Sequence, residues 1–324
     1  MEKRTDGKTR RKNMVNSMRK GCRELVEEMR KRGEKRQAFP LEFTGVGERD
    51  VYNITAPFED EGEIVIAGRV ERRESEESEV LFFVNRQGEW IPRVGSPSFP
   101  LQDPFFTRIG GQLIFGGVKT YPHPTRRGEL WWRTVLYKGK NIRDLHPFFE
   151  GPQGMKDLRL VQLRDGSVGI LTRPQGEKGG RGKIGFTTIP SLKALSEEII
   201  VEAPLLSDQF LDEEWGGPNE PHLLTNGLIG VLGHIARFDE EGGRHYYPMV
   251  FSLDPMTHAT SPIHVIAERR DFFEGPAKRP DLVDVVFSGG IVRNGDGTAI
   301  LYAGISDAGA QMLLIQDPFL IFER

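Results

Sequence analysis

Apolar and polar residues alternate in short runs over most of the chain after residue 39, and glycine or proline separates the runs. Five stretches share one pattern: a polar opening, an apolar strand, a glycine turn and a second apolar strand. Two strands joined by a tight glycine turn form a β-hairpin. The pattern therefore predicts five hairpins, in residues 53–71, 101–117, 156–173, 219–234 and 283–304.

The spacing of the hairpins indicates a repeated unit. Their turn glycines, 49, 55, 61 and 70 residues apart, are Gly62, Gly111, Gly166, Gly227 and Gly297. Further strand-like runs lie between them, at 80–84, 131–137 and 246–251. About four strands in each repeat of about 50 residues is typical of a β-propeller blade. We therefore predict an all-β fold, a five-bladed β-propeller over residues 39–324.

A helical pattern precedes the propeller and defines a basic N-terminal arm and helix over residues 1–38. The apolar positions at three- and four-residue steps are Met14, Met18, Cys22, Leu25, Val26 and Met29. A glycine at position 33 is expected to end the helix. Such a helix either forms a nucleic-acid or membrane arm or packs on the body or on a second subunit. Because Glu24, Glu27 and Glu28 interrupt its basic face, we favour packing.

Composition and charge restrict the class of protein. With 28% charged and 37% hydrophobic residues and no apolar run near 20 residues, the chain is expected to be a soluble protein without a membrane span. No apolar segment follows the basic N-terminus, so no secretory signal is expected. The single cysteine, Cys22, excludes an internal disulfide and a cysteine-based zinc site. These features predict a cytoplasmic protein.

The net charge of −3 conceals an asymmetry along the chain. Residues 1–36 hold 14 Lys and Arg against 6 Asp and Glu, whereas the remainder has a net charge of −11. An acidic body disfavours broad nucleic-acid affinity, so no nucleic-acid partner is expected. The glycine-rich run at 176–182 lies between two strands and does not open a helix, so it is interpreted as a hairpin loop and not as a phosphate-binding loop.

Polar residues recur where the hairpins begin. In a propeller the innermost strands converge on the axis, so these openings meet around one pocket. Turn capping by Asp and Asn is the alternative explanation for any single position, but a cluster of acids placed at an electrostatic cost indicates a site. The candidate residues at the openings are Asn53, Asp103, Lys156, Asp157, Asn219, Glu220, His222 and Asp284.

Carboxyl groups with neighbouring cations suit the cleavage of a glycosidic bond. One carboxylic acid protonates the leaving oxygen, and either a second carboxylate activates water or an external nucleophile such as phosphate attacks. Basic residues near the same rim either hold phosphate or neutralise the acids. They are Arg69, Lys156, Arg159, Arg173, His234 and Arg237. The aromatic residues suited to stacking on a sugar ring are Phe58, Phe105, Phe106, Trp131, Trp132 and Trp215.

These motifs resemble glycoside hydrolase family 130, the five-bladed mannoside phosphorylases and hydrolases, and resemble most closely an uncharacterised family of predicted glycosidases near them. The resemblance spans roughly residues 48–310. It rests on Asn53 with the later Arg69-Val-Glu71, and on Gln102-Asp103-Pro104 before a Gly-Gly hairpin. Gln102 and Phe105 stand where the family motif has glutamate and arginine.

The resemblance implies an inverting reaction in which Asp103 is the proton donor. It also implies that Arg69, Glu71, the Lys156-Asp157 segment, His234 and Asp284 line the sugar and phosphate sites. Phosphate would be held by Lys156, Arg173 and His234, whereas in hydrolysis Glu220 or Asp157 would activate water.

The predicted function is therefore cleavage of a glycosidic bond, with a β-mannoside or a similar oligosaccharide favoured as the substrate. The alternatives are a non-catalytic carbohydrate-binding propeller and a protein-interaction propeller. No cofactor or resident metal is expected. Phosphate is a candidate co-substrate, and calcium in the channel is left open because acids and amides supply oxygen ligands. A homo-oligomer formed through the N-terminal helix is also left open.

Overall fold

Antiparallel β-strands dominate the fold, which a computed structural model describes for residues 19–123 and 125–324. Numbered β1 to β21 in chain order, the strands are Gln37–Pro40, Glu42–Phe43, Asp50–Tyr52, Phe58–Asp60, Glu63–Glu71, Glu79–Arg86, Glu89–Pro92, Gln102–Ile109, Gln112–Pro122, Leu130–Gly139, His146–Glu150, Arg159–Gln162, Val168–Thr172, Gly185–Ile189, Trp215–Leu223, Ile229–Phe238, Arg244–Leu253, His264–Val265, Asp284–Arg293, Thr298–Ile305 and Gly309–Gln316. The helices α1 to α3 are Cys22–Arg32, Gly176–Gly179 and Glu197–Glu202. The predicted all-β class is confirmed.

All five predicted hairpins are present, as the antiparallel pairs β4–β5, β8–β9, β12–β13, β15–β16 and β19–β20. Their five turn glycines all have positive φ angles, between 77° and 93°. Glycine adopts this conformation without a steric penalty, which is why the tight turns carry it. The run at 176–182 connects the paired strands β13 and β14, so its interpretation as a hairpin loop is confirmed.

The described strands form four hydrogen-bonded sheets. Strands β2 to β7, β8 to β11 and β12 to β14 form sheets of six, four and three strands. The eight-stranded sheet contains two antiparallel parts, β15 to β18 and β19 to β21 with β1. These parts are joined where β17 and β19 run parallel at two residue pairs, His245 with Asp284 and Tyr246 with Val285. The first strand, β1, pairs with the last, β21.

Five apolar clusters fill the spaces between successive sheets or parts of sheets. One cluster lies between β4–β7 and β8–β10, the next between β8–β10 and β12–β14, and a third between β12–β14 and β15–β17. The fourth joins β16–β17 to β19–β21, and the fifth joins β20–β21 back to β3–β7. The order of packing contacts is therefore cyclic.

Helix α1 packs on the body of its own chain, as favoured from the sequence. Cys22, Leu25, Val26 and Met29 are buried in the cluster between β12–β14 and β15–β17. Burial raises the pKa of the Cys22 thiol, which suits a packing residue. The helix ends at Gly33, whose φ is 63°. The other two predicted stripe residues, at positions 14 and 18, lie outside the described residues.

No helix among the described residues is long and apolar enough to cross a membrane.

Three of the hairpins contain irregular strand pairing. The register shifts between Gln102 and Phe105 in β8, between Pro218 and Glu220 in β15, and around Gly289 in β19. A β-bulge bends its strand and redirects a side chain. In β8 and β15 the redirected residues are Asp103 and Asn219.

Candidate functional site

Six of the predicted site residues line one cavity of about 200 Å³. We call this the inner cavity. The predicted residues in its wall are Asn53, Arg69, Asp103, Lys156, Asp157 and His234. They come from separate hairpins and their flanks, so sequence-distant segments converge as expected. The wall also contains residues that the sequence did not indicate, among them Glu76, Arg244, Tyr246, Lys278, Arg279, Phe287 and Asp307.

Asp103 is buried at the bulge in β8, with a φ of 50°. The left-handed conformation is uncommon outside glycine, and Asp and Asn tolerate it best. The Asp103 carboxylate accepts a 2.8 Å hydrogen bond from Nδ2 of Asn53 and a 3.3 Å bond from Nη1 of Arg69. Two donors from a neighbouring sheet thus fix the direction of this carboxyl group.

Glu71 lies behind Arg69 and does not line the inner cavity. Its carboxylate is 1% exposed and accepts hydrogen bonds from Arg69, Tyr52, Ser78 and Lys278. Burial opposes its ionisation, but the charge of Arg69 and the bond from Lys278 outweigh burial and lower the pKa of Glu71. Glu71 therefore holds two cavity-lining cations in place.

Asp157 is 1% exposed and carries two arginines at ion-pair distance, Arg173 at 3.5 Å and Arg159 at 3.8 Å. Its φ is 59°, and neither carboxylate oxygen has a hydrogen-bond partner among the described residues. Burial opposes ionisation, but the charges of Arg173, Lys156 and Arg159 lower the pKa of Asp157. An ionised carboxylate with free acceptor positions therefore borders the cavity.

His234 is buried and uncharged. Burial lowers the pKa of His234 to about 3; the nearby arginines and Lys156 act in the same direction, whereas the charge of Asp157 opposes them. Its Nδ1 lies 2.9 Å from Oδ1 of Asn219, and its ring stacks on Tyr246 at 5.3 Å. Any contact of His234 with phosphate is therefore a hydrogen bond and not an ion pair.

Asp307 is a carboxyl of the inner cavity that sequence reasoning missed. Its φ is 50°, and it makes no hydrogen bond or ion pair with the described residues. Burial raises the pKa of Asp307 despite the nearby charge of Arg69, and the charge of Asp103 acts in the same direction as burial. The inner cavity thus holds carboxyl groups in different electrostatic environments.

Phe105, at the position of the family arginine, is buried beneath Arg159. The guanidinium carbon of Arg159 lies 3.9 Å from the centre of the Phe105 ring. Burial lowers the pKa of Arg159 to about 10. The guanidinium also donates hydrogen bonds to the backbone oxygens of Asn219 and Leu158. A guanidinium group thus occupies this region although position 105 is aromatic.

Glu220, His222 and Asp284 also do not line the inner cavity. Oε2 of Glu220 accepts the backbone N–H of Ile291 at 2.7 Å and lies 2.8 Å from Nε2 of His222. Asp284 contacts His245, which also bonds Asp239 at 3.0 Å. The carboxylates of Glu220 and Asp284 are thus engaged by local partners.

A second cavity, the outer cavity, adjoins the first and has a volume of about 450 Å³. Gln102, Lys156 and Tyr246 line both cavities. The outer wall carries the cations Lys156, Arg173 and Arg181 and no carboxylate among the described residues. Its aromatic residues are Trp132, Trp215, Phe238 and Tyr246, and Nε1 of Trp132 has no hydrogen-bond partner in the described part of the chain.

Within the described ranges, no group of three or more His, Cys, Asp or Glu side chains is arranged to hold a metal ion.

Comparison with protein families identifies the family to which the chain belongs. Residues 27–321 match the model of the family described as "Protein of unknown function (DUF1861)", so the chain belongs to this family. No curated protein sequence matches the chain.

Solved structures extend the comparison. MPT-4, a mannose phosphorylase from Leishmania mexicana in complex with a phosphate ion, is 32% identical, with a TM-score of 0.83 over 92% of this chain and 95% of that chain. MPT-1, a GDP-Man-dependent mannosyltransferase from the same organism, is also 32% identical, with a TM-score of 0.83 over 92% and 94%.

A more distant structure shares the fold. The β-1,2-mannobiose phosphorylase from Listeria innocua is 15% identical, with a TM-score of 0.58 over 86% of this chain and 93% of that chain. The predicted resemblance to glycoside hydrolase family 130 is confirmed by such neighbours, which include a structure from that family.

Proposed function

We propose that this chain is a carbohydrate-active enzyme that cleaves a glycosidic bond with inversion, favouring a β-mannoside-like substrate. Its class, glycoside hydrolase or phosphorylase, agrees with the relatives, which include a mannose phosphorylase 32% identical over 92% of the chain. The observation that carries the proposal is the inner cavity, where Asp103 meets cations and polar groups from several sheets.

The scaffold in this proposal is a five-bladed β-propeller over residues 39–324, preceded by the arm and helix of residues 1–38. The cyclic order of the five apolar clusters supports this architecture, because each blade of a propeller packs on the next and the last packs on the first. The two parts of the eight-stranded sheet are then two adjacent blades. Homo-oligomerisation through the helix and a cytoplasmic location stay predictions.

Asp103 is the proposed proton donor to the leaving oxygen, directly or through a sugar hydroxyl. Asn53 and Arg69 orient its carboxyl group and bind the carboxylate that remains after proton transfer. Asp307 is the second candidate, because its raised pKa favours the protonated form. Substitution of each aspartate separately distinguishes the two assignments.

Phosphate is the favoured nucleophile because Lys156 and Arg173 border both the ionised Asp157 and the outer cavity. Charge-assisted hydrogen bonds from these cations would hold a phosphate beside the anomeric carbon. In the hydrolytic alternative Asp157 is better placed than Glu220 to activate water, because Glu220 does not line the inner cavity. The proposal includes no cofactor or resident metal, and calcium in the channel stays an open prediction.

A second candidate function is mannosyl transfer from a nucleotide sugar. It is favoured by the outer cavity, whose cations and aromatic rings suit a phosphate-bearing ring compound, and by the equal identity to the mannosyltransferase MPT-1. The remaining alternatives are a non-catalytic carbohydrate-binding propeller and a protein-interaction propeller.

An activity screen distinguishes these functions. The full chain is incubated with β-mannosides and aryl glycosides with and without inorganic phosphate, and with GDP-mannose and mannoside acceptors. We expect cleavage that depends on phosphate and releases a sugar 1-phosphate. Cleavage without phosphate would indicate hydrolysis, transfer from GDP-mannose would indicate the second candidate, and sugar binding without any turnover would contradict the enzymatic proposal.

The proton donor is tested by Asp103→Asn. We expect turnover to fall by about 10²–10⁴-fold, the usual contribution of general acid catalysis, with the fold intact by circular dichroism. The matched variant Asp307→Asn makes the same replacement of a carboxyl group by a carboxamide at the second candidate. Full activity of the Asp103 variant together with loss in the Asp307 variant would reassign the donor.

A further inference from the structure

Asn219 contacts Nδ1 of His234, and Ser288 in turn contacts Asn219. Oδ1 of Asn219 lies 2.9 Å from Nδ1 of His234 and 3.1 Å from Oγ of Ser288. Oγ of Ser288 also lies 2.8 Å from the backbone oxygen of Gly233. Asn219, His234 and Ser288 are each at most 2% exposed, so the hydrogens in this group must be shared among a few fixed atoms.

Ser288 supplies one hydrogen for two oxygen contacts. A hydroxyl group donates only once, and the shorter contact, to the Gly233 oxygen, is the better donor geometry. With the Asn219 oxygen directed at Ser288, the 3.1 Å contact then joins two acceptors. In that orientation the Asn219 NH2 group is also buried without a hydrogen-bond partner in the described part of the chain.

A half-turn of the Asn219 amide removes this conflict. The two orientations exchange oxygen and nitrogen, and hydrogen bonding decides between them. With the nitrogen inward, its two hydrogens go to Ser288 Oγ and His234 Nδ1, while Ser288 donates to Gly233. The atom left without a partner is then a carbonyl oxygen, which tolerates this better than an NH2 group does.

We infer that Asn219 and Ser288 fix His234 as the neutral tautomer protonated on Nε2, so that this nitrogen donates a hydrogen bond to an anionic oxygen in the inner cavity. A neutral imidazole has one donor and one acceptor nitrogen, and occupation of Nδ1 as the acceptor makes Nε2 the donor. Nε2 makes no hydrogen bond with the described residues, and His234 lines the inner cavity. Asn219 and Ser288 are positioning residues.

The identity of the ligand oxygen rests on the proposed function, in which phosphate is the nucleophile. Lys156 and Arg173 supply positive charge nearby, and a neutral donor adds direction without further charge. The low pKa of His234, about 3, is consistent with a donor that stays neutral over the physiological range. The tautomer itself depends only on contacts within the chain.

Nitrogen NMR of the full chain, labelled with ¹⁵N-histidine and free of ligand, tests the tautomer. Two-bond correlations distinguish a protonated from an unprotonated ring nitrogen, and the signals missing in His234→Gln identify the residue. We expect Nε2 protonated and Nδ1 unprotonated at neutral pH. Protonation of Nδ1, or of both nitrogens, would overturn the inference whether or not the chain proves to be a phosphorylase.

Calorimetric titration with inorganic phosphate tests the donor. His234→Gln retains an N–H donor near the Nε2 position and is expected to bind within about threefold of wild type, whereas His234→Leu and Asn219→Leu are expected to lose about tenfold or more. His146→Gln is the matched control, because His146 is exposed, and its affinity for phosphate is expected to equal that of wild type. Equal binding by His234→Leu, or no binding by wild type, would overturn the assignment of phosphate as the ligand.

Discussion

Asp307 shows how one side chain changes the electrostatics of the inner cavity. It follows β20 in a Ser-Asp-Ala-Gly turn, so its sequence resembles that of an ordinary turn residue. In the structure its carboxyl group faces Arg69 and Asp103 without a hydrogen-bond partner among the described residues. Its position is therefore a cost to folding that a functional site explains.

The raised pKa of Asp307 predicts that Asp307→Asn is more stable than wild type at neutral pH. Because the folded-state pKa lies above the ordinary value of 3.8, ionisation destabilises the fold at neutral pH. Below about pH 4 the carboxyl group is protonated in both states and the cost disappears. Denaturant unfolding at several pH values should therefore show a gain that shrinks as the pH falls.

Asp165→Asn is a control with the opposite sign. Hydrogen bonds from Ser167 lower the pKa of Asp165, so its stabilising effect is present above the ordinary value and is lost as the pH falls through the lowered value. This variant should be less stable than wild type at neutral pH. A gain in both variants, or in neither, would contradict the electrostatic assignment for Asp307.

At the scale of single elements, strand β20 packs closely against Asn53 at Gly304. A Cβ atom added at Gly304 would lie 2.6 Å from the backbone nitrogen of Asn53 and would also overlap its Oδ1. Asn53 already has a φ of 44° and donates to Asp103. The close approach of these two backbones explains why position 304 carries glycine.

We predict that Gly304→Ala displaces Asn53, lowers stability by about 1–3 kcal/mol and reduces turnover through Asp103. Gly309→Ala is the matched control, since nothing lies within 4 Å of a Cβ atom there and its φ is not positive. Urea unfolding and steady-state kinetics measure both effects. Normal turnover in Gly304→Ala would indicate that the Asn53–Asp103 bond does not matter for the reaction.

The sequence predicts elements better than it predicts which end of an element bears the site. Strand β15 begins at Trp215, four residues before the predicted opening at Asn219, so Glu220 and His222 lie further along the strand than expected. Strand β19 begins at Asp284 as predicted, but successive side chains of a strand alternate, and Val285 lines the cavity instead. The left-handed backbone conformations of Asp103 and Asp157 and the bulge at Asp103 set the directions of these side chains, and the hydrophobic pattern does not predict them.

At the scale of the whole molecule, the hairpins and turn glycines were predictable because local patterns determine them. The convergence of six predicted residues followed from the repeat. The loop of residues 266–283 has no strand periodicity, so the approach of Lys278 to Glu71 depends on tertiary packing that no local pattern indicates.

Helix α1 contributes to the stability of the whole chain. Met29 is fully buried in the cluster between β12–β14 and β15–β17, and Arg30 pairs with Glu268 at 2.6 Å. We predict that Met29→Ala lowers the free energy of unfolding by about 2–5 kcal/mol. In denaturant unfolding, the exposed Val201→Ala should change stability by about 0.5 kcal/mol or less. A changed oligomeric state without loss of stability would instead favour a subunit contact.

The pairing of β1 with β21 has a consequence for synthesis on the ribosome. Gln37 pairs with Leu314 and Pro40 with Gln311, so β1 must wait for a partner strand that is synthesised much later in the chain. Until then β1 is an exposed edge that can pair with another nascent chain. The pairing of β1 is therefore completed only after β21 has been synthesised, and premature termination before residue 309 would leave polypeptides prone to aggregation.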